Sequence, residues 1–188
     1  MITRFSQCIQ SRASGRRIVT LFVGMMAFIL LTLPMAEEAS AGIEGLDSRG
    51  FYSLAEAHST VASYSAEGRA RLRIFYLTVD VINPLLYASF FALLISWVFQ
   101  RAFSAESQLQ RLNLAPLAAI LFDLLENTSI VRLFGAYPSQ PDSIARLAQI
   151  GSAGKFSLVS LSALLILIGL VVLLWKHFSD PRGVESVK

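Results

Sequence analysis

The chain has 188 residues, enough for one modest domain, of which 54% are hydrophobic and only 15% charged, where a soluble domain carries roughly 25% charged residues. Its mean hydropathy is +0.58, and the apolar residues fall into runs of about 20, the length that spans a bilayer core and that an ordinary soluble fold excludes. The net charge of +3 and pI near 9.3 do not signal nucleic-acid binding, because the basic residues flank apolar blocks and form no stripe interleaved with aromatics.

In chain order, a basic segment comes first, residues 1–17, with Arg4, Arg12, Arg16 and Arg17. It also holds Cys8, the single cysteine, so no intrachain disulfide or cysteine metal cluster can form. Its thiol reads as a bystander, with palmitoylation the alternative. The first apolar segment, 18–36, has two readings. Pro34 and Ala39-Ser40-Ala41 before Gly42 suit a secretory signal peptide over 1–41. The apolar run is long for one, so a retained first span is preferred. Both readings put residues 42–73 on the same side of the membrane.

In the following loop, 37–73, Ser53-Leu54-Ala55-Glu56 is a capping-box pattern. Leu54, Ala57, Val61 and Tyr64 share one helical face, and Gly68 offers a stop. An amphipathic helix over 53–67 is expected, on the outer membrane surface or across the bundle mouth. A second span over 74–99, a short link 100–111 and a third span 112–136 follow. Residues 137–155 read as an outer loop with a short helix after Pro141, over 143–150. A fourth span covers 156–175, before a tail 176–188. At 1.5 Å per residue each span crosses about 30 Å, and in lipid each must be helical to satisfy its own backbone.

Arg101 and Arg111 in the link, with Lys176, Arg182 and Lys188 in the tail, join the N-terminal arginines on one side. That bias places both termini in the cytoplasm. The opposite loops hold Arg49, Arg146, Lys155 and most acidic residues, and an Arg69, Arg71, Arg73 cluster that runs against the bias.

Ionisable groups within spans mark function by default, because charge in hydrocarbon is costly. The second span carries Asp80, Asn83 and Tyr87 on one face, with Pro84 among them freeing the carbonyl of Asp80. The third carries Asp123, Glu126 and Asn127 on one face, with Arg132 about 180° from Asp123 around the helix. Counting the helical rise from the outer ends, Asn83 and Asn127 each lie about 14 Å deep, and Tyr87 and Asp123 each about 20 Å. Antiparallel packing then brings Asn83 to Glu126 or Asn127, and Tyr87 to Asp123. Arg132, near the level of Asp80, snorkels outward or pairs across another helix.

This polar ladder has three readings: interhelical hydrogen-bond glue, a ligand, cation or proton site, and a docking surface for another membrane subunit or a second copy. Two carboxylates one turn apart in low dielectric suit an acid/base pair or cation site. Other candidates are weaker. His58 has no second histidine at metal spacing, and His177 complements a helix dipole. Ser157, Ser160 and Ser162 read as packing residues, and Phe90, Phe91, Trp97 and Phe99 as lipid-facing or interfacial aromatics. The chain has no G-x-S-x-G, H-E-x-x-H or phosphate-binding glycine loop. No metal and no cofactor are expected.

Phe51-Tyr52-Ser53 with Glu56-Ala57, Gly68-Arg69, Asp80 with Pro84 and Tyr87, and Asp123-x-x-Glu126-Asn127 together resemble a family of four-span bacterial integral membrane proteins to which no function is attached. The resemblance covers roughly residues 50–175 and implies fold and topology; a bacterial inner-membrane location is expected. A fainter similarity is to the sterol-isomerase and sigma-2-receptor-like superfamily, whose histidine and tryptophan placements this chain lacks. The expected architecture is an all-α polytopic antiparallel four-helix bundle with an amphipathic extracytoplasmic helix. The expected role is a non-enzymatic bundle or accessory subunit. The alternative is a membrane-embedded enzyme or carrier for a small lipid-like or protonatable ligand, with Asp123 and Glu126 as acid/base groups and Asn83, Tyr87 and Asn127 positioning it.

Overall fold

The computed structural model describes residues 2–179; Arg182 and Lys188 of the expected cytoplasmic tail lie outside the described residues. The chain is an all-α bundle in which seven helices are described: α1 (Ile2–Arg12), α2 (Gly15–Ser40), α3 (Leu54–Ser63), α4 (Ala66–Thr78), α5 (Asn83–Ala102), α6 (Ala115–Ala136) and α7 (Asp142–Ser179). Four stretches are long and apolar enough to cross a membrane: α2, α4 joined to α5, α6 with the short 3-10 helix before it, and α7. Leu30 and Leu31 on α2, Leu121 on α6, and Leu167 and Leu174 on α7 face outward. A continuous apolar exterior of this kind is what lipid covers, and these helices fit a membrane protein.

The second span is not one helix. Its backbone breaks between Thr78 and Asn83, and Asp80–Ile82 form a single 3-10 turn. The cause is Pro84, which has no amide hydrogen and is tolerated only where a helix begins. The Asp80 carbonyl that Pro84 leaves without its helical donor accepts instead from the Asn83 backbone amide.

The last span differs in the opposite sense. The expected outer loop 137–155 and separate fourth span merge into one helix, α7, of 38 residues. Gly151 and Gly154 do not end it, because their role is packing. A Cβ on Gly151 would lie 2.6 Å from the Glu126 backbone nitrogen, and one on Gly154 would lie 2.2 Å from the Phe122 ring. With Ala145, Ala148 and Ser152 also buried, this small-residue stripe lets α6 and α7 run backbone to backbone.

The expected helix over 53–67 is shorter. Its capping box is present, with Glu56 Oε2 accepting from the Ser53 amide at 2.6 Å and Ser53 Oγ from the Glu56 amide at 3.2 Å. It ends at Ser63 because Ser65 caps a new helix, accepting from the Gly68 amide at 3.0 Å, so Gly68 lies inside α4 and is no stop. The Arg69 guanidinium reaches back to the carbonyls of Val61 (3.3 Å) and Tyr64, and stacks 3.8 Å over the Tyr137 ring. One of the three clustered arginines is thus a structural C-cap. The Ala57, Val61 and Tyr64 face packs into protein, against Ile130, Leu133, Phe134 and Ala148, so α3 covers the bundle mouth.

The N-terminal segment is also more than a tail. Ser6 of α1 is buried, donates to Asn113 Oδ1 at 2.8 Å, and has its carbonyl bonded by Asn113 Nδ2 at 3.2 Å. Phe99, expected outside, is in the second apolar core with Ile95, Val98 and Leu165. Gly169 makes the room: a Cβ there would come 2.4 Å from Val98 and 3.1 Å from the Phe99 ring.

Candidate functional site

Between the two apolar cores, at the level where the second span is broken, polar side chains of α5, α6 and α7 and of the turns at Asp47 and Asp80 converge. Tyr87 Oη on α5 donates to Asp123 Oδ2 on α6 at 3.0 Å, the pairing expected from the rise. Asn127 Nδ2 donates to Asp80 Oδ2 at 2.8 Å, where Asn83 was the expected partner. The 3-10 turn explains the exchange: it advances about 120° per residue, not 100°, so it shifts the phase of Asp80 relative to Asn83 by tens of degrees. Asn83 instead lines a cavity with Asp80, Tyr87 and Asp123.

Glu126 does not meet α5. It is fully buried and pairs with Lys155 of α7. The Lys155 ammonium lies 3.8 Å from Asp123 Oδ2 and donates to the Asp47 carbonyl at 3.1 Å. Asp47 belongs to the 3-10 turn Leu46–Ser48, and its Oδ1 accepts from Tyr76 Oη at 2.6 Å. Arg132 stays apart, exposed on the far side of α6, and forms no ion pair among the described residues.

Lys155 and Asp47 are the members that sequence reasoning missed. Lys155 was assigned to a loop, yet Ala145, Ala148, Ser152 and Lys155 are spaced three, four and three apart, a helical stripe that continues into the apolar run. Asp47 carried no signal, because a loop carboxylate reaches the bundle only through tertiary packing.

The cluster carries four carboxylates, Asp47, Asp80, Asp123 and Glu126, against the single ammonium of Lys155. Its field reaches neighbouring phenols outside the spans. Burial, then the nearby Glu126 and Asp47 charges, raises Tyr52 well above the usual phenol range. Burial, then Asp47, pushes Tyr64 up to about 12.

Several acceptors stay unbonded within the protein. Asp123 is 3% exposed, and its Oδ1, like Glu126 Oε1 and Asn127 Oδ1, has no hydrogen-bond partner among the described residues. Buried acceptors of this kind are costly unless a donor reaches them. Of these three residues Asp123 borders a cavity of about 220 Å³, lined also by Asp47, Asp80, Asn83, Tyr87 and Lys155 with Phe156 and Val159. Asp47 is also a wall of a wider cavity of about 480 Å³, beside Glu37, Glu44 and Tyr76. The acidic outer cavity and the inner one therefore meet at one carboxylate.

Two histidines stand outside this group. His58 on α3 lies with Nε2 2.8 Å from Asp142 Oδ1, tying α3 to the start of α7. His177 is exposed in the last turn of α7. Among the described residues, no three His, Cys, Asp or Glu side chains group as a metal would require. Comparison with protein-family models, curated proteins and solved structures finds no match to this chain.

Proposed function

We propose that this chain is a non-enzymatic multi-pass protein of the bacterial inner membrane, with a retained first span and both termini cytoplasmic, whose inner cavity binds a small organic cation such as a protonated amine. One observation carries the reading. Asp123 is almost wholly buried, has one carboxylate oxygen without a partner among the described residues, and lines a cavity whose walls hold two further carboxylates and whose one ammonium is already engaged by Glu126. An ammonium ion supplies both the positive charge and the hydrogen-bond donors that these acceptors need. The Tyr87 hydroxyl holds the other Asp123 oxygen, and Phe156 offers an aromatic face. The volume, below the roughly 300 Å³ of drug-sized sites, suits a ligand of few heavy atoms. Access from the acidic outer cavity past Asp47 would concentrate cations at the mouth. The break at Asp80–Ile82 supports the reading too, since irregular backbone at membrane depth is tolerated where it lines a cavity.

The glue reading is favoured by a separate observation: the Tyr87–Asp123 and Asn127–Asp80 bonds both cross between helices. The two separate in thermal unfolding of the detergent-purified chain titrated with n-butylammonium chloride, against sodium chloride at equal ionic strength. Cation binding predicts stabilisation that reaches about 2.7 kcal/mol at a hundredfold excess over Kd. Asp123→Asn should remove it while keeping an acceptor for Tyr87, and Arg132→Gln should leave it intact. No gain beyond sodium chloride, or an equal gain in Asp123→Asn, overturns the reading and leaves the cluster as glue.

A further inference from the structure

A further, wider cavity lies at the opposite end from α3 and shares no lining residue with the acidic site. It is a groove of about 670 Å³ between α1, α2, α5 and α6, lined by Phe5, Cys8, Ile9 and Arg12 of α1, Arg17 of α2, Ser89, Ala92 and Leu93 of α5, and Leu117 of α6. We propose that it is a binding site for one anionic phospholipid, with the phosphate between Arg12 and Arg17 and an acyl chain along Ile9, Leu93 and Leu117.

The construction of α1 leads to this. Ser6 and Gln10 turn toward the protein: Gln10 Nε2 reaches the Gln110 carbonyl at 3.3 Å, and Gln100 Nε2 donates to the Gln10 carbonyl at 2.9 Å. A helix held by its polar side leaves Phe5, Ile9 and Arg12, spaced four and three apart, as the stripe that borders the groove. An apolar stripe ending in a guanidinium has the polarity of a lipid, reversed in charge.

The charge at the mouth is one-sided. Arg17 Nη1 donates to the Arg12 carbonyl at 3.0 Å, which fixes that guanidinium beside the end of α1. No acidic residue lines the groove, and neither arginine forms an ion pair among the described residues. Arg16 stands next to them in the first turn of α2, where cations oppose the helix dipole and an anion relieves both repulsions. Away from the arginines, the α5 residues that line the groove, Ser89, Ala92 and Leu93, lie about 14–20 Å by the helical rise from that helix's end at Ala102. A headgroup at the arginines thus leaves an acyl chain running into the hydrocarbon layer. A free phosphate would use the mouth and leave the apolar length uncovered, which is why the lipid is the occupant that fits.

Native mass spectrometry of the delipidated chain in mild detergent tests this, with phosphatidylglycerol, phosphatidylcholine of the same acyl chains, and inorganic phosphate as the three probes. The expected result is one phosphatidylglycerol retained per chain, on the order of tenfold over phosphatidylcholine, and not displaced by millimolar phosphate. Arg12→Gln with Arg17→Gln should bring phosphatidylglycerol retention down to the phosphatidylcholine level. Ser89→Phe, which fills the groove and keeps both charges, should lower retention of either lipid, and thermal unfolding identifies any variant that has lost its fold. Equal retention of the two lipids by the wild-type chain, unchanged preference in the double variant, or displacement by phosphate alone would overturn the proposal.

Discussion

Replacing Lys155 by Met removes an ammonium while preserving a flexible apolar stem of similar reach. In the native chain that ammonium is the counter-charge of Glu126, a neighbour of Asp123 at 3.8 Å, and the donor to the Asp47 carbonyl at 3.1 Å. The side chain of Glu126 is 0% exposed and that of Lys155 only 12%, so water cannot substitute for the lost partner. Removing one member of a buried pair costs about 3–5 kcal/mol, because the other charge stays desolvated and uncompensated. At about 2–4 °C per kcal/mol for a chain of this size, the unfolding midpoint should fall by about 6–20 °C. Thermal unfolding in dodecyl maltoside, followed by far-ultraviolet circular dichroism, measures it. Adding Glu126→Gln to the Lys155→Met chain should restore more than half of the loss, since the orphaned charge is then gone. A loss below about 1 kcal/mol in the single variant, the range of exposed pairs, or no recovery in the double variant, would refute this account of the pair.

Two further expectations follow from the packing. Gly151→Ala places a methyl 2.6–2.8 Å from the Glu126 backbone nitrogen and Cα, and because backbone cannot rotate away, the helices must separate at about 1–3 kcal/mol; the same unfolding assay reads it, and a neutral result would mean that α6 and α7 do not approach as described. Ser53→Ala should cost about 0.5–2 kcal/mol by removing the N-cap of α3, read as faster amide exchange through Leu54–Ser63. The reciprocal carboxylate gives this cap a pH dependence. The Ser53 amide, then the Ser53 hydroxyl, hold Glu56 below the usual carboxylate range. Its contribution is therefore complete above the unfolded value and lost as pH falls through the lowered one, so exchange in α3 should quicken on acidification in the wild-type chain and not in Glu56→Gln.

What the sequence determined by itself was whatever depends on near neighbours along the chain. Apolar runs of spanning length fixed the four spanning stretches, because each residue's hydrophobicity acts alone and adds. Ser53 and Glu56 fixed the start of α3, because a capping box closes within four residues. Tyr87 and Asp123 could be paired in advance, because a constant helical rise sets matching depths on antiparallel neighbours. Tertiary structure decided the rest. Only the backbone of α6 and the ring of Phe122 make Gly151 and Gly154 packing residues within one long helix, in place of the expected outer loop, and this brings Lys155 to Glu126. Gly68 read as a stop, but the Ser65 cap won the contest because a formed side-chain bond to its amide outweighs glycine's small helical disadvantage. Asp47 is separated from Lys155 by 108 positions, and no local pattern encodes a contact whose energy exists only once both segments have folded.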